Sequence, residues 1–307
     1  MFPYILKSLR HYWRTHLAVL AGVFVASTVL TGALFVGNSV KASLKQLIEE
    51  RSGGIQAVLL GNDRFFSQAL ATKVAASTKA TILPVIQVQG TITDETSTTR
   101  VNAISVIGVP DTFWSIRGER ASIAPGETWI NEALAQQLNI KVGDTVIARV
   151  EQPGAISRDA PLSGESDAVV PLRLDVSKIL TGSEFGNYSI KAEQTAPNNL
   201  FLPIGELAKS LDKVDRANLL LVLGDTPLPD LETAIDEAWT TDDTDLALHE
   251  REGDWEIVSR RVLVDWRAEE IVREAAPDGN GVFTYLINGI KGGNGEAPYS
   301  MVAAVEP

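Results

Sequence analysis

The side chains able to do chemistry are few in this chain, and their spacing does not suit it. Histidine occurs three times in 307 residues, at His11, His16 and His249. The first two lie beside an apolar run and the third stands alone among acids, so no pair has the spacing of a zinc site. Cysteine is absent, which removes thiolate nucleophiles, cysteine-held metals and disulfides together. Asp242, Asp243 and Asp245 resemble the start of a loop for a hard cation. The glycine and the terminal glutamate of such a loop are not at their positions, and a solvated acidic loop is the expectation. The segment from Gly289 to Gly295 has the glycines of a phosphate loop without its Lys-Ser/Thr ending. No G-x-S-x-G elbow occurs. Asn187-Tyr-Ser189 fits a glycosylation sequon, a pattern that also arises by chance. No catalytic, cofactor-binding or metal-binding residue is therefore assigned. The chain is expected to be no enzyme and to need no cofactor.

The other chemistry on offer is that of cations beside a membrane. Lys7, Arg10 and Arg14 recur at spacings of three and four, while Ile5, Leu6, Leu9, Tyr12 and Trp13 keep helical spacing among them. Residues 1–16 thus read as a short basic amphipathic helix. Its apolar face suits the acyl boundary and its cations suit anionic headgroups, which makes membrane lipid a partner. The cations serve equally as topology signals: Lys and Arg before the run, with no acid, place the N-terminus in the cytoplasm.

The element that positions them is Leu17 to Gly37, 21 residues without charge, proline or amide. As a helix it spans roughly 32 Å, the hydrocarbon thickness of a bilayer. Ala18, Gly22 and Ala26 follow one another at a spacing of four, and Ala33 and Gly37 continue the row. Small side chains at that spacing let a second helix approach closely. The expected partners of this face are further transmembrane helices or a second copy of the chain. Helical periodicity continues through 38–52 as a stalk, with Lys41, Lys45 and Glu49 at spacing four, and Gly53-Gly54 supplies its glycine stop.

Charge divides the chain. Residues 1–51 hold six Lys/Arg against two Glu, a net of +4, so the remainder carries −16 of a total of −12. Such an acidic portion excludes duplex nucleic acid as a partner. Residues 53–280 read as an α+β domain outside the cytoplasm. Strands are predicted at Ile55–Leu60, Ile82–Thr93, Val101–Val109, Thr128–Ile130, Thr145–Val150, 169–179, Tyr188–Ile190, Asn199–Pro203, Leu219–Leu223 and Trp255–Val258. Helices are predicted at Phe65–Ala76, Ile204–Leu211, Leu231–Trp239 and Val262–Ala275. A short helix follows Asn131 as N-cap. Residues 151–168 read as a Pro/Gly/Ser-rich loop. Phe283–Ile290 is too short to cross a membrane, and 281–307 reads as a C-terminal segment.

This order of features resembles the permease subunits of MacB/FtsX/LolC-type ABC transporters. The segment Thr128 to Val146, with its lysine-x-glycine-aspartate-x-valine ending at Lys141-Val-Gly-Asp-Thr-Val146, looks like that family's strand and short-helix unit. Val106-Ile-Gly-Val109 looks like the preceding strand, and Asn199-Leu-Phe-Leu-Pro203 like a later one. The resemblance implies a cytoplasmic ATP-binding subunit as partner, a location in the cell membrane, and coupling of ATP hydrolysis to movement of the outer domain. Permeases of that family carry further transmembrane helices, so the sequence is expected to be the N-terminal portion of a longer one. The competing expectation is a single-pass anchored binding or sensor protein.

Overall fold

A computed structural model describes residues 2–95, 99–152, 169–191, 195–244, 246–251, 253–259, 266–293 and 295–305. Most of the expected loop at 151–168 and the first four residues of the helix predicted from Val262 lie outside them. The fold is α+β, with a long apolar helix at the N-terminus. The chain divides into two compact units, Met1–Asp245 and Leu246–Pro307.

The first unit opens with α1 (Phe2–His11) and α2 (Trp13–Ser52), separated by a bend at Tyr12. The predicted span and stalk are one unbroken helix of 40 residues, about 60 Å long at the α-helical rise. Then come β1 (Ile55–Leu60), β2 (Phe66–Ser67), α3 (Ala69–Ser77), β3 (Thr81–Asp94) and β4 (Arg100–Val109). A 3-10 turn at Asp111–Arg117 leads to β5 (Glu127–Asn131), α4 (Glu132–Leu138), β6 (Thr145–Glu151) and β7 (Val169–Leu180). β8 (Asn199–Pro203), α5 (Ile204–Ser210), β9 (Arg216–Ala217), β10 (Leu219–Leu223) and α6 (Leu228–Ala238) complete it.

Two expectations are corrected. Phe65–Gln68 is not helical. Phe66 and Ser67 pair with Ala217 and Arg216, and the helix starts only at Ala69. Tyr188–Ile190 is not a strand, because its backbone serves a buried turn instead of a ladder.

Six strands close into a ring. β3 pairs with β4, β4 with β8, β8 with β5, β5 with β7, β7 with β6, and β6 returns to β3. Closure leaves these strands no open edge. The alternating apolar residues Ile86, Val88, Ile92, Ile104, Val106, Val146, Ala148 and Leu174 share one buried core. β3 also pairs through its first half with β10, which β1 flanks. Serving three partners requires a change of register, which falls between Gly90 and Ile92. A Cβ on Gly90 would stand 2.7 Å from the Arg149 carbonyl oxygen, so only glycine permits β6 to approach there.

The second unit comprises a hairpin of β11 (Leu246–Arg251) and β12 (Asp254–Ser259), α7 (Trp266–Ala275), and a hairpin of β13 (Val282–Gly292) and β14 (Gly295–Val305). The glycine-rich segment that resembled a phosphate loop is the end of β13 and its reversal, with Gly293 at φ +54°. His249 is exposed on β11, opposite Glu256.

Candidate functional site: the seat of the long helix

The last turn of an α-helix leaves carbonyls without intrahelical partners. In α2 the fold supplies them. Gly53 adopts the left-handed conformation (φ +64°) and its N–H returns to the Glu49 carbonyl at 3.2 Å. Arg117 donates from Nη2 to the Glu50 carbonyl. Ser189 N–H approaches the Arg51 carbonyl at 3.4 Å. The Arg117 guanidinium also lies 5.2 Å above the Phe185 ring, a cation–π arrangement. A Cβ placed on Gly53 would meet Ile116 Cγ2 and Phe185 Cε2, each at 2.8 Å. Arg51 is itself 7% exposed. The helix therefore ends in a fitted seat rather than in a loose linker.

Each wall of the seat has a local cause. Pro110 precedes the 3-10 turn and Asp111 opens it, which suits a helical start. The turn buries Phe113 and Trp114 and delivers Ile116 and Arg117 to the helix end. Phe113 lies 5.4 Å from both Phe185, at a tilt, and Tyr188, edge to face, while Trp114 lies 4.8 Å from Trp129. Phe185 is held at φ +67°, a region costly for a bulky residue that persists only where surroundings enforce it. Enforcement comes from Thr181 and Glu184. The Glu184 carboxylate accepts from Thr181 N and Oγ1 at 3.0 Å each, and its other oxygen meets Lys178 Nζ at 3.0 Å. Gly186 follows, where a Cβ would come within 2.6 Å of the Leu180 carbonyl oxygen.

Behind the seat lies a buried amide network. Asn131 caps α4 by accepting from Leu134 N–H at 3.2 Å, as its position in the sequence predicts. The same oxygen accepts from Asn199 N–H at 3.2 Å, and Nδ2 donates to the Pro197 carbonyl at 2.6 Å and to Asn187 Oδ1 at 3.2 Å. Asn199 in turn donates to the carbonyls of Gly186 and Tyr188, at 2.9 and 2.8 Å. The sequon residue Asn187 is thus a member of this network. Burial pushes the Tyr188 phenol far up, so it stays neutral.

Hydrogen bonding from Thr181 N–H, reinforced by Lys178, holds the Glu184 carboxyl below its ordinary value of 4.5. A depressed carboxyl stabilises the fold fully above its unfolded value and loses that contribution as pH falls through the folded one. Glu184→Gln is expected to lower stability near neutrality by about 1 kcal/mol. The two unfolding midpoints should converge on acidification below about 4.5; a gap that persists in acid would show that the charge is not responsible.

The residues singled out by sequence occupy different places. Ala18, Gly22, Ala26, Ala33 and Gly37 lie along α2, all exposed, and a Cβ on Gly22 or Gly37 would meet nothing within 4 Å. A shallow indentation in the same helix is lined instead by Phe24, Ser27, Thr28, Thr31 and Gly32, with Thr28 Oγ1 donating to the Phe24 carbonyl at 2.8 Å. Lys7 and Arg10 are exposed on α1, and Arg14 is exposed in the first turn of α2 with its guanidinium 5.7 Å above the Trp13 ring. The expected solvated acidic loop is corrected at Asp243. This residue is 4% exposed and accepts from Thr240 N and Oγ1 and from Ser67 N–H, tying that loop to β2. Asp245 lies outside the described residues. Among the described residues no three His, Asp or Glu are grouped to hold a metal. Sequence reasoning missed Arg117, Phe185 and Ser189. The Pro110-Asp111 helix start was the one available signal.

The fold and its seat define an α+β domain, built on a closed barrel, at the end of one long helix that is apolar enough to cross a membrane. No family model and no curated protein matches the sequence. Among solved structures, the periplasmic region of MacB from Actinobacillus actinomycetemcomitans is similar at a TM-score of 0.37 and 9% identity, covering 77% of this chain and 100% of that one. The extracellular domain of the noncanonic ABC-type transporter YknZ from Gram-positive bacteria is similar at a TM-score of 0.35 and 10% identity, covering 55% and 78%. At these scores both likenesses are loose.

Proposed function

We propose that the chain belongs to the permease subunit of a MacB/FtsX-type ABC transporter and transmits movement between the membrane and an extracytoplasmic domain. The observation that supports this is the seat. A 40-residue helix runs without a break from its apolar span to Ser52, and the Arg117 side chain and the Ser189 backbone N–H of the domain meet its last carbonyls. Displacement or rotation of the helix then moves the domain with it, because bending a helix at its capped end requires breaking those bonds. The motif from Thr128 to Val146 supports the same family. ATP hydrolysis belongs to a separate cytoplasmic subunit, and the row Ala18, Gly22, Ala26, Ala33 and Gly37 packs against other transmembrane helices of the assembled transporter.

The test is co-purification from native membranes. The chain should be recovered with an ATP-binding subunit, and Gly22→Leu should reduce that recovery several-fold by blocking close helix approach. Recovery without any ATPase would favour the anchored binding or sensor protein. Unchanged assembly of the leucine variant would remove the small-residue face from the account.

A further inference from the structure

We propose that the free edge of β1 joins two copies of this chain, Val58 of each copy pairing with Leu60 of the other in an antiparallel ladder. This is independent of the transporter reading. The first observation is the position of β1 in its sheet. It is the outermost strand, with β10 on one side, and among the described residues no strand pairs with its other side. Gly61 N–H donates to the Asn218 carbonyl at 2.8 Å, continuing the register of β1 on β10. Backbone groups alternate in direction along a strand, so Leu59 faces β10 as Gly61 does, while Val58 and Leu60 direct their N–H and C=O groups outward. Such an edge is a template for a further strand.

The second observation is composition. From Gly53 to Asn62 there is no charge and no proline, the residues that ordinarily protect an exposed edge. Both faces of β1 are apolar. Ile55 and Val58 pack against the cluster that holds Phe113 and Phe185, and Ala57 and Leu59 against the cluster that holds Leu70 and Leu231. A strand that continues this sheet must be uncharged and apolar on both faces, and β1 itself meets that requirement. The third observation sets the register. A bulge between Ile55 and Ala57 breaks the edge at Gln56. The Gln56 amide is already committed to Thr226, accepting from its N–H at 3.1 Å and donating to its carbonyl. Val58 and Leu60 are left to pair. Two-fold symmetry then places Val58 opposite Leu60 on both sides of the axis, each pair exchanging two hydrogen bonds, with Leu59 opposite its own counterpart. Leu60, which is 53% exposed, is covered by Val58 of the second copy. No charge lies within the paired strands, so the acidity of the outer portion does not oppose the contact at the edge itself.

The absence of cysteine makes the test direct: Leu59→Cys in the full chain reports on this pairing alone. In a non-hydrogen-bonded antiparallel pair the two Cα atoms stand about 4.5 Å apart, within reach of a disulfide. In detergent micelles the Leu59→Cys chain should oxidise to a cross-linked dimer. Ala57→Cys should not, because in this register the two copies of that position lie about 13 Å apart along the ladder. Adding Leu60→Lys to Leu59→Cys should lower cross-linking about ten-fold, by setting like charges beside the axis and removing both Leu60–Val58 contacts. Gly22→Leu should leave the cross-link unchanged, which separates this edge from pairing through α2. Sedimentation of the unsubstituted chain, which no folding defect can confound, should give a protein dimer. A monomeric unsubstituted chain would overturn the proposal, and so would equal cross-linking of the Leu59→Cys and Ala57→Cys variants. Loss of the cross-link in Gly22→Leu would move the contact to α2 and overturn it as well.

Discussion

Replacing Asn131 with alanine should lower the unfolding free energy of the barrel by about 4 kcal/mol, near the upper end for a single substitution. The side chain is wholly buried and makes four hydrogen bonds, to Leu134, Asn187, Pro197 and Asn199. Alanine removes an N-cap, worth about 1 kcal/mol. It also strands the Asn199 N–H and the Pro197 carbonyl, and each buried polar group left without a partner costs about 1–3 kcal/mol. Asn131→Asp separates these contributions. It keeps the oxygen that accepts from Leu134 and Asn199 but faces the Pro197 carbonyl and Asn187 Oδ1 with a second acceptor. Denaturant titration of the full chain should therefore rank wild type above both variants. A loss below 1 kcal/mol for alanine would mean that the network is dispensable.

Gly53→Val should cost about 3 kcal/mol, and its effect should centre on the end of α2. Two causes add: a β-branched residue at φ +64° is strained by about 1–3 kcal/mol, and a Cβ at 2.8 Å from Ile116 and Phe185 forces those side chains aside, typically at about 1–3 kcal/mol. Gly54 provides the control. It also has positive φ, at +88°, but a Cβ there meets nothing within 4 Å. Gly54→Ala should thus cost only about 1 kcal/mol, from backbone strain alone. Hydrogen exchange distinguishes the two. The Ser189 amide, which faces the Arg51 carbonyl, should exchange roughly ten-fold faster or more in Gly53→Val if the seat opens locally. Equal exchange in both variants would show that the helix end is not seated as described.

Much of this architecture was legible in the residues. The long helix announces itself through an uncharged run and the Gly53-Gly54 stop. Strands β1, β3, β4, β7 and β10 follow from β-branched and apolar patterning, and α4 follows from Asn131 and the short apolar period after it. The seat was not legible, for a physical reason. It is assembled from residues 49–53, 116–117 and 185–189, and short-range periodicity carries no signal for contacts spanning more than 60 residues. Phe185 looks like an ordinary loop aromatic until its positive φ is seen. Phe65–Gln68 carried a helical period that the pairing of Phe66 and Ser67 with β9 overrides. Asp243 was misread because a buried carboxylate that satisfies three donors has the same local sequence as a solvated one.

The closed ring also fixes an order of events during synthesis. β3 is made early, but its ring is complete only when β8 has emerged at Asn199–Pro203, and two of its pairings, β4 with β8 and β5 with β7, are parallel and distant in sequence. Such pairing is slow, because chain entropy is lost before contacts compensate. The long helix is therefore synthesised while its seat does not yet exist. The carbonyls of Glu50 and Arg51 stay hydrated until Arg117 and Ser189 have both been made and drawn together. Docking of the helix therefore waits on barrel closure.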